Sequence, residues 1–232
     1  AGFVIGVLNI SGLGFGLTLM LVTTAGDMLI VILLVAAVVC TVLGMGMPTS
    51  GVYVLLAALV GPAIIEAGAD PIAAHMFILY FGMMSMITPP IALAAFAAAA
   101  LSKAGPMETG FAAMRLGWVA YVIPFLFVFA PTLLMNGEPV DVAWDFVKAA
   151  VGVVFVSVGI VGYMGRLLSW LYRIGFIVLG GAALSSLGPI PNPDLIGVAA
   201  IVCGVAAMTA LVITARKAAL PDEATAGPKP GS

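Results

Sequence analysis

Charge is the scarcest thing in this sequence. Asp, Glu, Lys and Arg make up only 8% of it, while 63% of its residues are hydrophobic. Soluble domains carry about a quarter of their residues as charges. So few charged groups cannot cover a globule with polar surface, and a mean hydropathy of +1.27 says the same. Lipid is therefore the solvent for most of the chain. The eight basic residues form no patch and the sequence pI is about 5.1, which excludes nucleic acid as a partner. Histidine occurs once, at His75, and cysteine twice, at Cys40 and Cys203. There is no HExxH, CxxC or Cys/His cluster, so metalloprotease and zinc-site chemistry is excluded, and both cysteines read as small buried hydrophobes. No P-loop is present, so ATP is not the evident energy source.

The ends are also short of something. "AGFVIGVLNISGLGFG" has no initiator methionine and no basic n-region, which argues against a signal peptide. The chain reads as the C-terminal part of something longer. Residues 216–232, polar and rich in Pro, Gly and Ala, read as a disordered tail.

What is present is a series of charge-free blocks. A helix needs about 20 residues to cross a bilayer core. Leu116–Gly137 and Leu195–Ala215 fit one crossing each. Met28–Ile65 and Pro71–Ser102 are far too long, about 57 and 48 Å if each were one helix. Both carry breakers: Gly44, Gly46 and Pro48 in the first, Pro89 and Pro90 in the second. Read as a re-entrant hairpin over 28–65 and a broken helix over 71–102, these blocks give a consistent orientation. Asp27, Glu66 and Asp70 fall outside, Lys103 and Arg115 inside, Glu138, Asp141 and Asp145 outside, Arg166 and Arg173 inside, Asp194 outside, and Arg216 and Lys217 inside. The positive-inside rule is then obeyed except at Lys148. The stretch 104–117, with Met107, Phe111, Met114 and Trp118 on one face, reads as an amphipathic interfacial arm, followed by a helix over 118–135.

Irregular backbone survives in a membrane only where it is buried in protein or lines a wet cavity. A hairpin tip at Gly44–Ser50 offers free backbone groups plus the hydroxyls of Thr49 and Ser50, and no charge. Pro48 lacks an N–H and so frees a carbonyl. Such oxygens suit a small hard cation such as Na⁺, while the helix starting near Gly51 turns its N-terminus toward an anion. The second break, "GMMSMITPPIALAAF", repeats this chemistry with Ser85, Thr88 and Pro89–Pro90. Paired discontinuous segments meeting near the midplane point to a secondary-transporter site. His75 falls about one helical turn below the outer interface and reads as a packing residue.

The motifs GMGMPT (44–49), AAHMF (73–77), YFG (80–82) and SMITPP (85–90) carry a specific resemblance. Over about Gly2–Met135 the chain resembles the large, DctM-like membrane subunit of TRAP (tripartite ATP-independent periplasmic) transporters, in the branch where small and large subunits are fused. The resemblance implies an all-α bacterial inner-membrane protein, with residues 1–135 the second repeat of an inverted-repeat elevator transporter. Such transporters couple Na⁺ entry to uptake of organic anions, mostly carboxylates, handed over by a periplasmic solute-binding protein. It also implies that Gly44, Gly46, Thr49, Ser50 and Thr88 neighbour Na⁺, with Pro48, Ser85 and Pro89 in the substrate's vicinity. Ser50 departs mildly from the threonine of many relatives but keeps the hydroxyl. The first repeat and the small-subunit helices are not in this sequence, so the remainder of the permease is an expected partner. Residues 140–215 resemble the C-terminal extension of fused permeases, with three further transmembrane helices. Besides this non-enzymatic permease, two other classes stand: a non-transporting membrane scaffold, and an intramembrane serine protease built on Ser50 and His75, disfavoured because the two fall at different depths.

Overall fold

A computed structural model describes residues 28–164, 167–187 and 193–219, together with the single positions Ile10 and Gly16. The first expected span and the tail from residue 220 therefore lie outside the described residues, while the expected tail is corrected at 216–219, which close the last helix. Within them the chain is helical, and its one isolated β-bridge joins Tyr163 to Leu167. Contacts divide the chain into two units, Ala1–Asp145 and Phe146–Ser232.

The first unit begins with α1 (Leu29–Gly44), which stops at the glycine–proline stretch and gives way at once to α2 (Thr49–Leu59) and the short α3 (Gly61–Glu66). α1 packs against both α2 and α3, so the chain doubles back as a helical hairpin. Asp70 then starts α4 (Pro71–Met84): its carboxylate accepts from the N–H groups of Ile72 at 2.8 Å and Ala73 at 3.3 Å, and Pro71 takes the first helical position. An N-cap of this kind contributes about 1 kcal/mol, a role that reading Asp70 as a plain loop charge misses. The helix is broken over residues 85–92 and resumes as α5 (Leu93–Ser102).

α4 is the axis of this unit, packing against α1, α2, α3 and α7. Its Phe77 and Phe81 meet Phe125 edge-on at 5.2 and 5.6 Å. With Leu33, Leu56, Ile64 and Ile78 they form a continuous apolar core. α6 (Pro106–Leu116) packs on α5, with Glu108 in its first turn and Arg115 in its last, each favourable to the helix dipole. Met107 and Phe111 are exposed on it.

The expected helix over 118–135 is corrected. α7 runs Val119–Phe129, and a 3₁₀ turn takes Pro131–Leu134. The residue before a proline is pushed out of helical conformation, and Ala130 leaves the helix accordingly at φ −133°, ψ 80°. Gly117 and Trp118 join α6 to α7 so closely that Pro106–Phe129 is, by length and composition, one of three stretches among the described residues able to cross a membrane, with Pro139–Val161 and Leu195–Ile213.

The second unit starts inside α8 (Pro139–Val161) and adds α9 (Trp170–Ser185) and α10 (Pro193–Ala219). Its helices approach through small residues, as membrane helices do: a Cβ on Gly180 would lie 2.7 Å from the Gly152 carbonyl oxygen. The Phe155 ring occupies the space a side chain at Gly204 would need. Arg173 closes the end of α8, donating from Nε to the Gly159 carbonyl at 3.0 Å and from Nη2 to that of Ile160 at 2.9 Å. Lys148 is 3% exposed, beside the buried Ser186 and Gly197. Cys40 is buried as expected, whereas Cys203 is exposed.

Candidate functional site

The two helix breaks meet. Gly44 ends α1 against the end of α4 so tightly that a Cβ there would lie 3.0 Å from both the Gly82 carbonyl oxygen and Ser85 Oγ. Gly82 in turn leaves room for Val52 of α2, whose Cγ1 would be 2.8 Å from a Cβ on that glycine. Glycine at both positions is thus what lets hairpin and broken helix touch backbone to side chain.

Ser85 fastens this junction. It is 2% exposed, and its Oγ lies 2.9 Å from the Gly44 carbonyl and 2.6 Å from the Gly82 carbonyl. The hydroxyl has one proton to share between two acceptors, so it ties the end of the hairpin's first arm to the end of α4. Gly44 O also accepts the Met47 N–H at 3.4 Å. Both partners point the same way: this carbonyl is engaged in holding the tip.

One turn on, Thr88 donates to the Met84 carbonyl at 2.5 Å and lies 2.6 Å from the Tyr121 hydroxyl of α7. Pro89 seats against Gly110, the single buried residue of α6, where a Cβ would come within 2.8 Å of Pro89 Cγ. The break is therefore gripped from three sides, by α1, α6 and α7.

The tip itself is open. Gly46 has φ +79° with nothing within 4 Å of a Cβ position, a left-handed conformation that favours glycine. Pro48, Thr49 and Ser50 are exposed. Val52 N–H returns to Pro48 O at 3.0 Å, and no side chain caps α2, so the N–H groups of its first turn face the opening. Of the eight residues the sequence singles out, Gly44 and Ser85 join directly, Thr88 and Pro89 stand at the same break, and Gly46, Pro48, Thr49 and Ser50 form the exposed rim. Among the described residues no group of three or more His, Cys, Asp or Glu could hold a metal ion, so the oxygens gathered here are hydroxyls and carbonyls.

His75 does not turn to a serine. Its Nδ1 lies 3.2 Å from the Tyr53 hydroxyl of α2, with the rings 6.0 Å apart. Sequence reasoning passed over both tyrosines. Their signal was present: a phenol inside a membrane-facing run must find a hydrogen-bond partner, and Tyr121 is the one hydroxyl between Trp118 and Thr132.

With this geometry described, comparison with known proteins adds a lineage. The family described as "Tripartite ATP-independent periplasmic transporter, DctM component" matches residues 1–137. The "C4-dicarboxylate TRAP transporter large permease protein DctM" of Vibrio cholerae serotype O1 is 34% identical over 118 residues, covering 47% of this chain. The chain spans 26% of that relative's length. No solved structure matches it.

Proposed function

The chain belongs to the DctM component family of tripartite ATP-independent periplasmic transporters, and we propose that its two helix breaks form one half of a Na⁺-coupled site for organic anions. It is a multi-pass membrane permease component. In the proposed reading residues 1–135 are the second repeat of an elevator-type transporter in a bacterial inner membrane. The other half of the site comes from the remainder of the permease, and a periplasmic solute-binding protein delivers the substrate. A carboxylate fits because the relative from Vibrio is named for C4-dicarboxylates and because the open first turn of α2 offers N–H groups to an anion.

The observation that carries the reading is the Ser85 bridge between Gly44 and Gly82. It brings two interruptions, far apart in sequence, to one place. Irregular backbone at membrane depth persists where it is buried in protein or lines a cavity, and here a buried junction stands beside an open tip. The donor set fits Na⁺: neutral hydroxyl and carbonyl oxygens, with Thr88 at the break and Thr49 and Ser50 on the rim. Gly44, its carbonyl already engaged, and Gly46, with its left-handed backbone, shape the tip around these oxygens. Pro48, Ser85 and Pro89 frame the space left to the substrate.

The test is solute uptake into vesicles by the complete permease with its binding protein, at stepped Na⁺ concentrations. Wild type should require Na⁺. Thr49→Ala and Thr88→Ala should each raise the Na⁺ needed for half-maximal uptake by about tenfold, the loss of one hydrogen-bond-sized ligand to a charged group. Na⁺-independent uptake, or two variants indistinguishable from wild type at normal membrane expression, would leave the breaks as packing features and overturn the site assignment.

A further inference from the structure

We propose that Tyr121 is a positioning residue of this site: its phenol donates to Thr88 Oγ1 and so fixes the direction of the threonine's remaining lone pair, which is left to a monovalent cation. The inference rests on the reading above and extends it to α7, which no sequence motif implicates.

The argument is one of proton bookkeeping. Thr88 Oγ1 lies 2.5 Å from the Met84 carbonyl oxygen and 2.6 Å from Tyr121 Oη. A carbonyl can only accept. Two oxygens at 2.5 Å without a proton between them repel, so the single Thr88 proton is committed to Met84. The Thr88–Tyr121 contact then needs a proton from the only other source, the phenol. Thr88 thus donates once and accepts once, and of its two lone pairs one remains. Met84 O also accepts the Ile87 N–H at 3.1 Å, which fixes that carbonyl within the break and with it the direction of the threonine proton.

Without Tyr121 the order is lost. Thr88, half-buried rather than sealed, is then held by its donation to Met84 alone, and its Oγ1 is freer to swing out of the position that presents a lone pair to the cation. A second anchor that fixes the threonine oxygen in place is what the phenol contributes. It is itself held: the Tyr121 ring stacks edge-on with Phe81 of α4 at 6.5 Å. The hydroxyl is therefore supplied by a rigid element, as accurate positioning requires.

Tyr121→Phe keeps the ring and its contact with Phe81, so folding should survive. In the uptake assay, the Na⁺ concentration for half-maximal rate should rise about fivefold, the worth of one net hydrogen bond. The maximal rate at saturating Na⁺ should stay near wild type. Tyr80→Phe removes a phenol from the same unit, one that packs on Phe127 away from the break, and should not move the Na⁺ dependence. If Tyr121→Phe lowers only membrane expression or maximal rate, Tyr121 is a packing residue and the inference falls while the Na⁺-coupled site stands. An unchanged Na⁺ half-saturation has the same meaning. Na⁺-independent uptake by wild type overturns both.

Discussion

Ser85 shows how much one hydroxyl can decide. Its neighbours Met84 and Met86 could be exchanged for other apolar residues at small cost, because methionine fills space adaptably. Ser85 cannot, since two buried carbonyls share its proton. Ser85→Ala should lower stability by about 1–3 kcal/mol, the cost of taking the hydroxyl from two buried carbonyls, of which Gly44 keeps only the long bond from Met47 N–H. A drop in Tm of the detergent-solubilised protein would report it, and an unchanged Tm would mean that the junction is held by Val52 packing on Gly82 alone. From the sequence, Ser85 reads as a residue near the substrate. Its burial and its partners give it a second task, which the sequence could not disclose because both acceptors are backbone atoms and one is remote in the chain.

At the scale of elements, ends matter more than middles. Each helix leaves orphan N–H and C=O groups at its termini, and this chain meets them by different means. Asp70 caps α4 from the loop before it, a pattern legible in the Asp-Pro pair. Arg173 caps α8 from the following helix, a pattern legible in no local window. Arg173→Gln should therefore loosen the last turn of α8. The expected outcome is faster amide hydrogen exchange at Gly162, whose N–H is bonded to Val158 O at 2.8 Å, with exchange in α4 unaffected. Equal exchange in variant and wild type would show that the guanidinium contributes nothing to the cap. The breaks themselves were legible, because block length and glycine–proline content both forbid an unbroken helix. The stop of α7 at Phe129 was legible too, in Pro131, yet the apolar run past it hid the signal.

For the whole molecule, the orientation read from charge remains a proposal with a direct check. In a Cys203→Ser background, which removes the exposed native thiol, a cysteine at position 103 replacing Lys103 should react with a membrane-impermeant maleimide only after cells are opened. Glu138→Cys should react in intact cells. Both sites are exposed on the protein. The reverse pattern, with position 103 labelled in intact cells and position 138 only after opening, would mean that the hairpin block crosses the membrane once and inverts everything after it. The two units also differ in how they cohere. The first is built on aromatic and branched side chains around α4, the second on glycine-mediated approach of α8 and α9.

The sequence by itself determined the solvent, the helical class, the places where helices must break and the family. These follow from composition, block length and local motifs, which need no knowledge of what lies opposite. Only the tertiary structure decided that the breaks meet, that Ser85 joins them, that Tyr121 stands behind Thr88, and that Lys148 and Arg173 turn inward to the second unit rather than out to water. The physical reason is common to all four. A hydrogen bond or a close approach is a property of two groups, and here the second is a backbone atom or a residue on another helix.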